Sequence, residues 1–331
     1  MSSMPLSYPW QMPQWQQLAG LHEGQRFPHA LLLGGPSGIG KLQFGRALLC
    51  SLLCEHPKNF LACGECHSCQ LYQSGSHPDI RELCPEEGKR QIGVDQVRAL
   101  QQFTSQSAYR EGGRKLVLIH PAEAINPYTA NALLKTLEEP AGDTVLVLLS
   151  HSPSQLLATI RSRCVQLTFP LPEHNSALKW LQNQLGQTED AEALLRESGG
   201  RPLAAQQLYE SDGLSQWRAQ DAALAEVVEG KKTVLQLADS WQDREVPEVL
   251  EWWLNRLAAL IKHLSAGQPL NARWQAYTSM ALPAVYLQYE QALGLRATLL
   301  RGAALNKRLV LEKLLLDWFD AFYGRAPSRA Y

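Results

Sequence analysis

The 331-residue chain has no run of 18 or more apolar residues, and its start has no basic stretch leading into an apolar one. The first absence excludes a membrane-spanning helix and the second argues against a secretory leader, so a cytoplasmic protein without membrane contact is expected. An excess of one charge sign is missing too: 31 Lys and Arg stand against 32 Asp and Glu, a formal net charge of −1. No global positive field draws such a chain to nucleic acid, and any contact must be local or shared with partners. A full disulfide framework is excluded by the odd count of seven cysteines. Four of them fall between positions 54 and 69, a clustering that suits metal binding in a reducing compartment. Internal repeats and low-complexity tracts are absent as well. What is present, 45% hydrophobic and 19% charged residues, describes real cores, and the length predicts two or three domains.

The most informative stretch runs from His29 to Leu42. Ala30 to Leu33 is an apolar run of the length of a strand buried on both faces. Leu42 to Leu53 follows with Phe44, Ala47, Leu48 and Leu52 at helical spacing. Between them Gly35-x4-Gly40-Lys41 matches a phosphate-binding P-loop up to its last position. Gly35, Gly38 and Gly40 let backbone N–H groups curl around phosphate oxygens, and Lys41 adds a full positive charge. The eighth position calls for a Ser or Thr hydroxyl to hold Mg²⁺, and here it is Leu42. A second loss matches the first. Lys115 to Ile119 reads as a buried strand, and P-loop ATPases follow such a strand with Asp-Glu, the metal acid and the base for water. This chain has His120-Pro121. Glu123, two residues on, is expected to be a solvated loop carboxylate. The loop is thus a phosphate cradle with the hydroxyl, the acid and the base all missing. Nucleotide binding is doubtful, and Mg²⁺-dependent hydrolysis is not expected.

Cys54-x8-Cys63-x2-Cys66-x2-Cys69 can place four thiolates around one tetrahedral ion, with Gly64 easing the tight turn. Iron–sulfur ligation would call for a further cysteine three residues on, where Gln73 stands. Unliganded buried thiols are the remaining alternative. A zinc site closed by four cysteines is structural rather than catalytic, and His67 is expected to face solvent.

Along the rest of the first half, strands are expected at Asp79–Leu83, Val145–Leu149 and Val165–Phe169. Helices are expected at Gln14–Glu23, after a cap at Asp95, at Asn131–Glu139 before Pro140, and through Leu156, Leu157 and Ile160 after a cap at Ser154. Strands alternating with helices imply a doubly wound parallel α/β domain over 1–169. From Pro170 onward strands disappear. A small helical unit is expected over 170–212, broken at Gly199-Gly200-Arg201-Pro202, and an all-α unit over 213–331. There Trp252-Trp253 read as a helix–helix interface.

In this order the motifs resemble a clamp-loader subunit of the AAA+ class: damaged P-loop, four-cysteine insert, Asn131-Ala-Leu-Leu-Lys-Thr-Leu-Glu-Glu-Pro140, and Ser162-Arg163-Cys164. Motif resemblance covers Tyr8 to Phe169, and the helical half agrees in architecture. It implies an AAA+-like domain with a zinc module at 54–69, a helical lid over 170–212, and a collar over 213–331 that joins five subunits into a ring. The implied role is DNA replication: a non-hydrolysing subunit of the DNA polymerase III clamp loader, within a DNA-directed DNA polymerase complex. Gamma or tau and delta subunits are the implied neighbours. Contact with the sliding clamp is weak or indirect, and primer–template DNA is reached through the assembly. Arg163 would be an arginine finger acting in trans on the γ-phosphate of a neighbouring gamma or tau site, which suits a planar, permanently charged guanidinium. Arg161 is not the family's arginine, and Arg201 stays unassigned. Two other readings stand beside this one. A gamma-type active ATPase would turn over ATP with Mg²⁺. A stand-alone zinc module for DNA would need local basic residues, and between Cys54 and His77 there is only Lys58.

Overall fold

The protein is described by a computed structural model over residues 8–186, 190–300 and 305–324. It divides into two compact units, Met1–Ala191 with Gly200–Ala204, and Glu192–Gly199 with Ala205–Tyr331.

The first unit is built on a five-stranded sheet. Its strands are β1 (Ala30–Gly34), β2 (Ile80–Leu83), β3 (Lys115–Ile119), β4 (Thr144–Ser150) and β5 (Val165–Thr168), in spatial order β2-β3-β4-β1-β5. Every pairing is parallel. The three inner strands are buried at every residue, which is why they read as unbroken apolar runs, whereas edge strands β2 and β5 carry exposed residues. Side chains alternate across β1. Leu31 and Leu33 join the core under α1 (Met12–Glu23) and α2 (Lys41–Leu53), with Trp15, Leu18, Phe44, Leu48 and Phe169. Ala30 and Leu32 point the other way, toward α4 (Val94–Ser105), α5 (Pro127–Glu138) and α6 (Ala158–Arg161), through Val97, Leu100, Leu133 and Ile160. Between α2 and β2 the chain inserts the cysteine segment and α3 (His67–Gln73), and α7 (His174–Leu185) follows β5.

Two expected caps are corrected. At α4 the N-cap is Gly93, whose N–H donates to Gln96 Oε1 at 2.8 Å, while Asp95 lies in the first turn and pairs with Arg98 at 3.0 Å. Ser154 sits inside a 3₁₀ turn, Pro153–Gln155, and the helix waits until Ala158, because Leu156 and Leu157 are extended. α5 also starts earlier than expected, at Pro127 rather than Asn131: Asn126 caps it, accepting from Thr129 N–H at 2.8 Å with Pro127 at the first position.

The chain continues through α8 (Ala191–Glu197), α9 (Pro202–Glu210), α10 (Gly213–Val228), α11 (Val234–Ser240), α12 (Val246–Ala266), α13 (Leu282–Leu300) and α14 (Lys307–Phe322). The second unit has no strand among its described residues. Its core gathers Trp252, Trp253, Trp274 and Trp318, each at most 1% exposed, around α12. A buried ion cluster lies beside them. Arg256 pairs with Asp221 and Glu197, and Asp221 Oδ1 also accepts from Trp252 Nε1 at 3.0 Å and Trp274 Nε1 at 2.9 Å. Among the described residues no helix is long and apolar enough to cross a membrane.

Candidate functional site

The P-loop forms as its spacing predicts, between the end of β1 and the first residue of α2. Gly38 and Gly40 take φ of +75° and +87°, values that favour glycine. At Gly35 the reason is space: a Cβ would lie 2.2 Å from the Phe169 carbonyl oxygen. Lys41 is 3% exposed. Its Nζ donates to the carbonyls of Gly35 (2.6 Å) and Pro36 (2.5 Å) and meets His151 Nδ1 at 3.1 Å. Burial pulls its pKa down to about 8, an effect that the negative charge of Glu123 partly offsets.

The loop is covered from one side. Trp10 Nε1 and Gln11 Nε2 both donate to the Ile39 carbonyl, at 3.0 and 2.9 Å. Tyr8 stacks on Trp10 at 5.0 Å, and both rings meet Trp180 of α7 edge-on at 5.4 Å. The Tyr8 ring lies so close that a Cβ on Gly40 would come within 2.3 Å of it. Arg201 Nη1 reaches Ser37 Oγ at 3.2 Å, so this arginine belongs to the loop's surroundings.

The metal-binding side of the site is filled differently. Leu42 packs on the Trp15–Phe44 core, turned to apolar use. His120, at the end of β3, faces Glu82 Oε2 at 3.3 Å, and Arg46 holds Glu82 through two bonds of 3.0 and 2.8 Å. Burial would raise the Glu82 pKa, but hydrogen bonds from His120 and Arg46 overcome it and hold the group at about 2. The expectation for Glu123 is overturned. Its Oε1 accepts from Ser150 Oγ, His151 N–H and Ser152 N–H, each at 2.6 Å, so it clamps the turn leaving β4, and its buried Oε2 has no hydrogen-bond partner among the described residues. Those partners lie 27 to 29 residues further along, and no local signal announces them. The Arg201–Ser37 contact, across 164 residues, was equally invisible.

The four cysteines converge as their spacing predicts. The sulfurs of Cys54, Cys63, Cys66 and Cys69 all lie within 4.8 Å of one another, with Cys54–Cys66 and Cys63–Cys69 at 4.0 Å. Ligands at about 2.3 Å from a tetrahedral zinc stand about 3.8 Å apart, so this donor set fits that ion. Backbone N–H groups already aim at the sulfurs: Cys63 N donates to Cys54 Sγ at 3.2 Å and Cys66 N to Cys63 Sγ at 3.4 Å. Donation from the Glu65 and Cys66 amides brings the Cys63 thiol down to about 6, toward the thiolate a metal needs. His67 is exposed, as expected. Arg163 joins neither cluster. It is half-buried, donates from Nη1 to the Thr159 carbonyl at 2.9 Å, and forms an ion pair through Nη2 with Glu138 of α5.

Strand order, loop and thiol cluster together define an α/β P-loop protein with a metal-type cysteine insert between its P-loop helix and second strand. Residues 10–173 match a family described as DNA polymerase III, delta subunit. The chain is 42% identical over 328 residues to the DNA polymerase III subunit delta′ of Pseudomonas aeruginosa, covering 94% of this chain and 97% of that protein. To the Escherichia coli subunit delta′ it is 35% identical over 319 residues, with 93% and 94% covered. Among solved structures it is similar to a gamma subunit-related protein of Thermotoga maritima at 18% identity and a TM-score of 0.42, covering 93% of this chain and 99% of that one. The chain belongs to the DNA polymerase III subunit delta′ family.

Proposed function

We propose that the chain is a non-hydrolysing, stationary subunit of the DNA polymerase III clamp loader, helping to place the sliding clamp on primed DNA. The observation that carries the non-hydrolysing part is the fate of the two metal positions. Leu42 is committed to the core and His120 to Glu82, so neither supplies a ligand for Mg²⁺ beside the loop. Family membership supports the assembly: gamma or tau and delta subunits as neighbours in a five-subunit ring, with primer–template DNA reached through the whole. In this reading 1–169 is the AAA+-like domain, 170–212 the lid and 213–331 the collar.

Arg163 acts across a subunit boundary as an arginine finger. Its pairing with Glu138 holds the side chain in the unassembled chain, and a γ-phosphate would displace that carboxylate by offering more negative charge to the same donor fork. The Cys54, Cys63, Cys66 and Cys69 cluster holds one zinc ion. The ion supplies a covalent-strength cross-link between the end of α2 and the knuckle before α3, and no chemistry of turnover. Retained Lys41 favours the rival gamma-type ATPase, but without a metal ligand it can only attract phosphate.

Two measurements test this function. The purified chain should show no Mg²⁺-dependent ATP turnover above background, and it should co-purify with gamma or tau and delta subunits from its host. Turnover by the chain alone would establish the gamma-type reading, and failure to assemble would remove the clamp-loader role.

A further inference from the structure

The sheet brings one further side chain to the phosphate loop. Parallel pairing sets Ser150, the last residue of β4, opposite Gly34, and the Gly35 N–H donates to the Ser150 carbonyl at 3.2 Å. His151 is the next residue, so its backbone starts beside the loop. It is fixed there, because His151 N–H and Ser152 N–H both donate to Glu123 Oε1 at 2.6 Å. The imidazole Nδ1 then meets Lys41 Nζ at 3.1 Å. An ammonium only donates, so Nδ1 is the acceptor and the neutral ring carries its proton on Nε2. An ammonium also has only three N–H bonds. The Gly35 and Pro36 carbonyls, at 2.6 and 2.5 Å, take two of them, and His151 takes the third. Lys41 is buried, whereas His151 is exposed, so burial of its own ring gives no reason for a histidine at position 151. What the imidazole adds here is the third acceptor.

We propose that His151 is a latch on the phosphate loop: it holds Lys41 on the loop's own carbonyls and so keeps the ammonium from an oligophosphate. A P-loop lysine works by turning its donors to phosphate oxygens. Here every donor must first leave an acceptor, and that exchange weakens binding. Two of the acceptors are loop backbone, which no substitution removes, and the imidazole is the one that a substitution can take away. His151 acts through Lys41 and is a positioning residue. The latch is separate from the missing metal ligands. Leu42 and His120 bear on Mg²⁺ and turnover, and His151 on phosphate alone, so the non-hydrolysing role stands or falls independently of it.

The test is calorimetric titration of inorganic tripolyphosphate into the full chain, with a chelator present to exclude divalent metal. His151→Ala should bind the probe about tenfold more tightly than wild type, the scale of one hydrogen bond to a charged group. Adding Lys41→Met to His151→Ala should abolish that gain. His151→Asn sets an amide oxygen close to where Nδ1 stood and should return the affinity to that of wild type. An unchanged affinity for His151→Ala would overturn the proposal. A gain that survives Lys41→Met would overturn it too, since the loop would then have loosened without the lysine. Should His151→Ala not fold, the native chain supplies a second reading. Nitrogen NMR of the His151 ring at neutral pH should show a neutral imidazole protonated at Nε2, and a proton on Nδ1 would overturn the latch. ATP turnover with Mg²⁺ is a different measurement and remains the test of the non-hydrolysing role.

Discussion

At Lys41, burial and the negative charge of Glu123 act on one ammonium in opposite senses. Burial wins, and the group titrates near pH 8 in the folded chain against its usual 10.5. Between those values the unfolded chain still binds a proton that the folded chain has released, so the stability linked to Lys41 rises with pH across that window and is flat below it. The melting temperature of wild type minus that of Lys41→Met should therefore grow from pH 8 toward pH 10, and a constant difference would mean an unperturbed lysine. The loss of metal ligands has its own consequence. Calorimetric titration of ATP should give the same weak affinity with and without Mg²⁺, since Leu42 and His120 hold no metal; a large gain with Mg²⁺ would contradict this. The loop residues were legible because the P-loop spacing is local to one turn. Glu123 was not, because what makes it a clamp is the Ser150–Ser152 turn, brought alongside only when β3 and β4 pair.

At the scale of elements, the cysteine segment and the ion cluster of the second unit make opposite demands. The segment between α2 and α3 buries little apolar surface beyond Cys54 and Phe60, so under the zinc proposal its order depends on a cross-link. Cys66→Ser, or a strong chelator on wild type, should lower the melting temperature and expose this segment to protease. Unchanged melting after the chelator strips all metal would show that packing alone holds it. Around Arg256 the packing is tight and the charges are captive. Arg256 is 4%, Glu197 7% and Asp221 2% exposed, so Arg256→Met would leave two buried carboxylates without a cation. The expected loss is about 3–5 kcal/mol in urea unfolding followed by tryptophan fluorescence. A loss under about 1 kcal/mol would mean that water already reaches the carboxylates. The inner strands and most helices of the first unit could be read from apolar runs and periodicity. The late start of α6 could not, since Leu156 and Leu157 suit a helix by propensity and are drawn out by the 3₁₀ turn at Pro153–Gln155. Nor could the Arg256 cluster, whose three charged groups, Glu197, Asp221 and Arg256, come from three helices far apart in sequence.

For the whole molecule, the proposed arginine finger, Arg163, lies among polar partners. Glu138 and the Thr159 carbonyl hold the guanidinium half-buried, just ahead of edge strand β5. As the γ-phosphate is transferred to water, charge shifts among its oxygens, and a fixed guanidinium beside it lowers the barrier. In the proposed role Arg163 acts on a neighbour, since Leu42 and His120 offer its own loop no metal ligand. Arg163→Lys should restore little, since a point charge lacks the planar fork. The deciding measurement is steady-state, DNA-stimulated ATP hydrolysis by rings reconstituted with wild type or Arg163→Ala, with assembly checked by gel filtration. Under the proposed role, intact rings with partly reduced hydrolysis are predicted. Intact rings hydrolysing at the wild-type rate would contradict it.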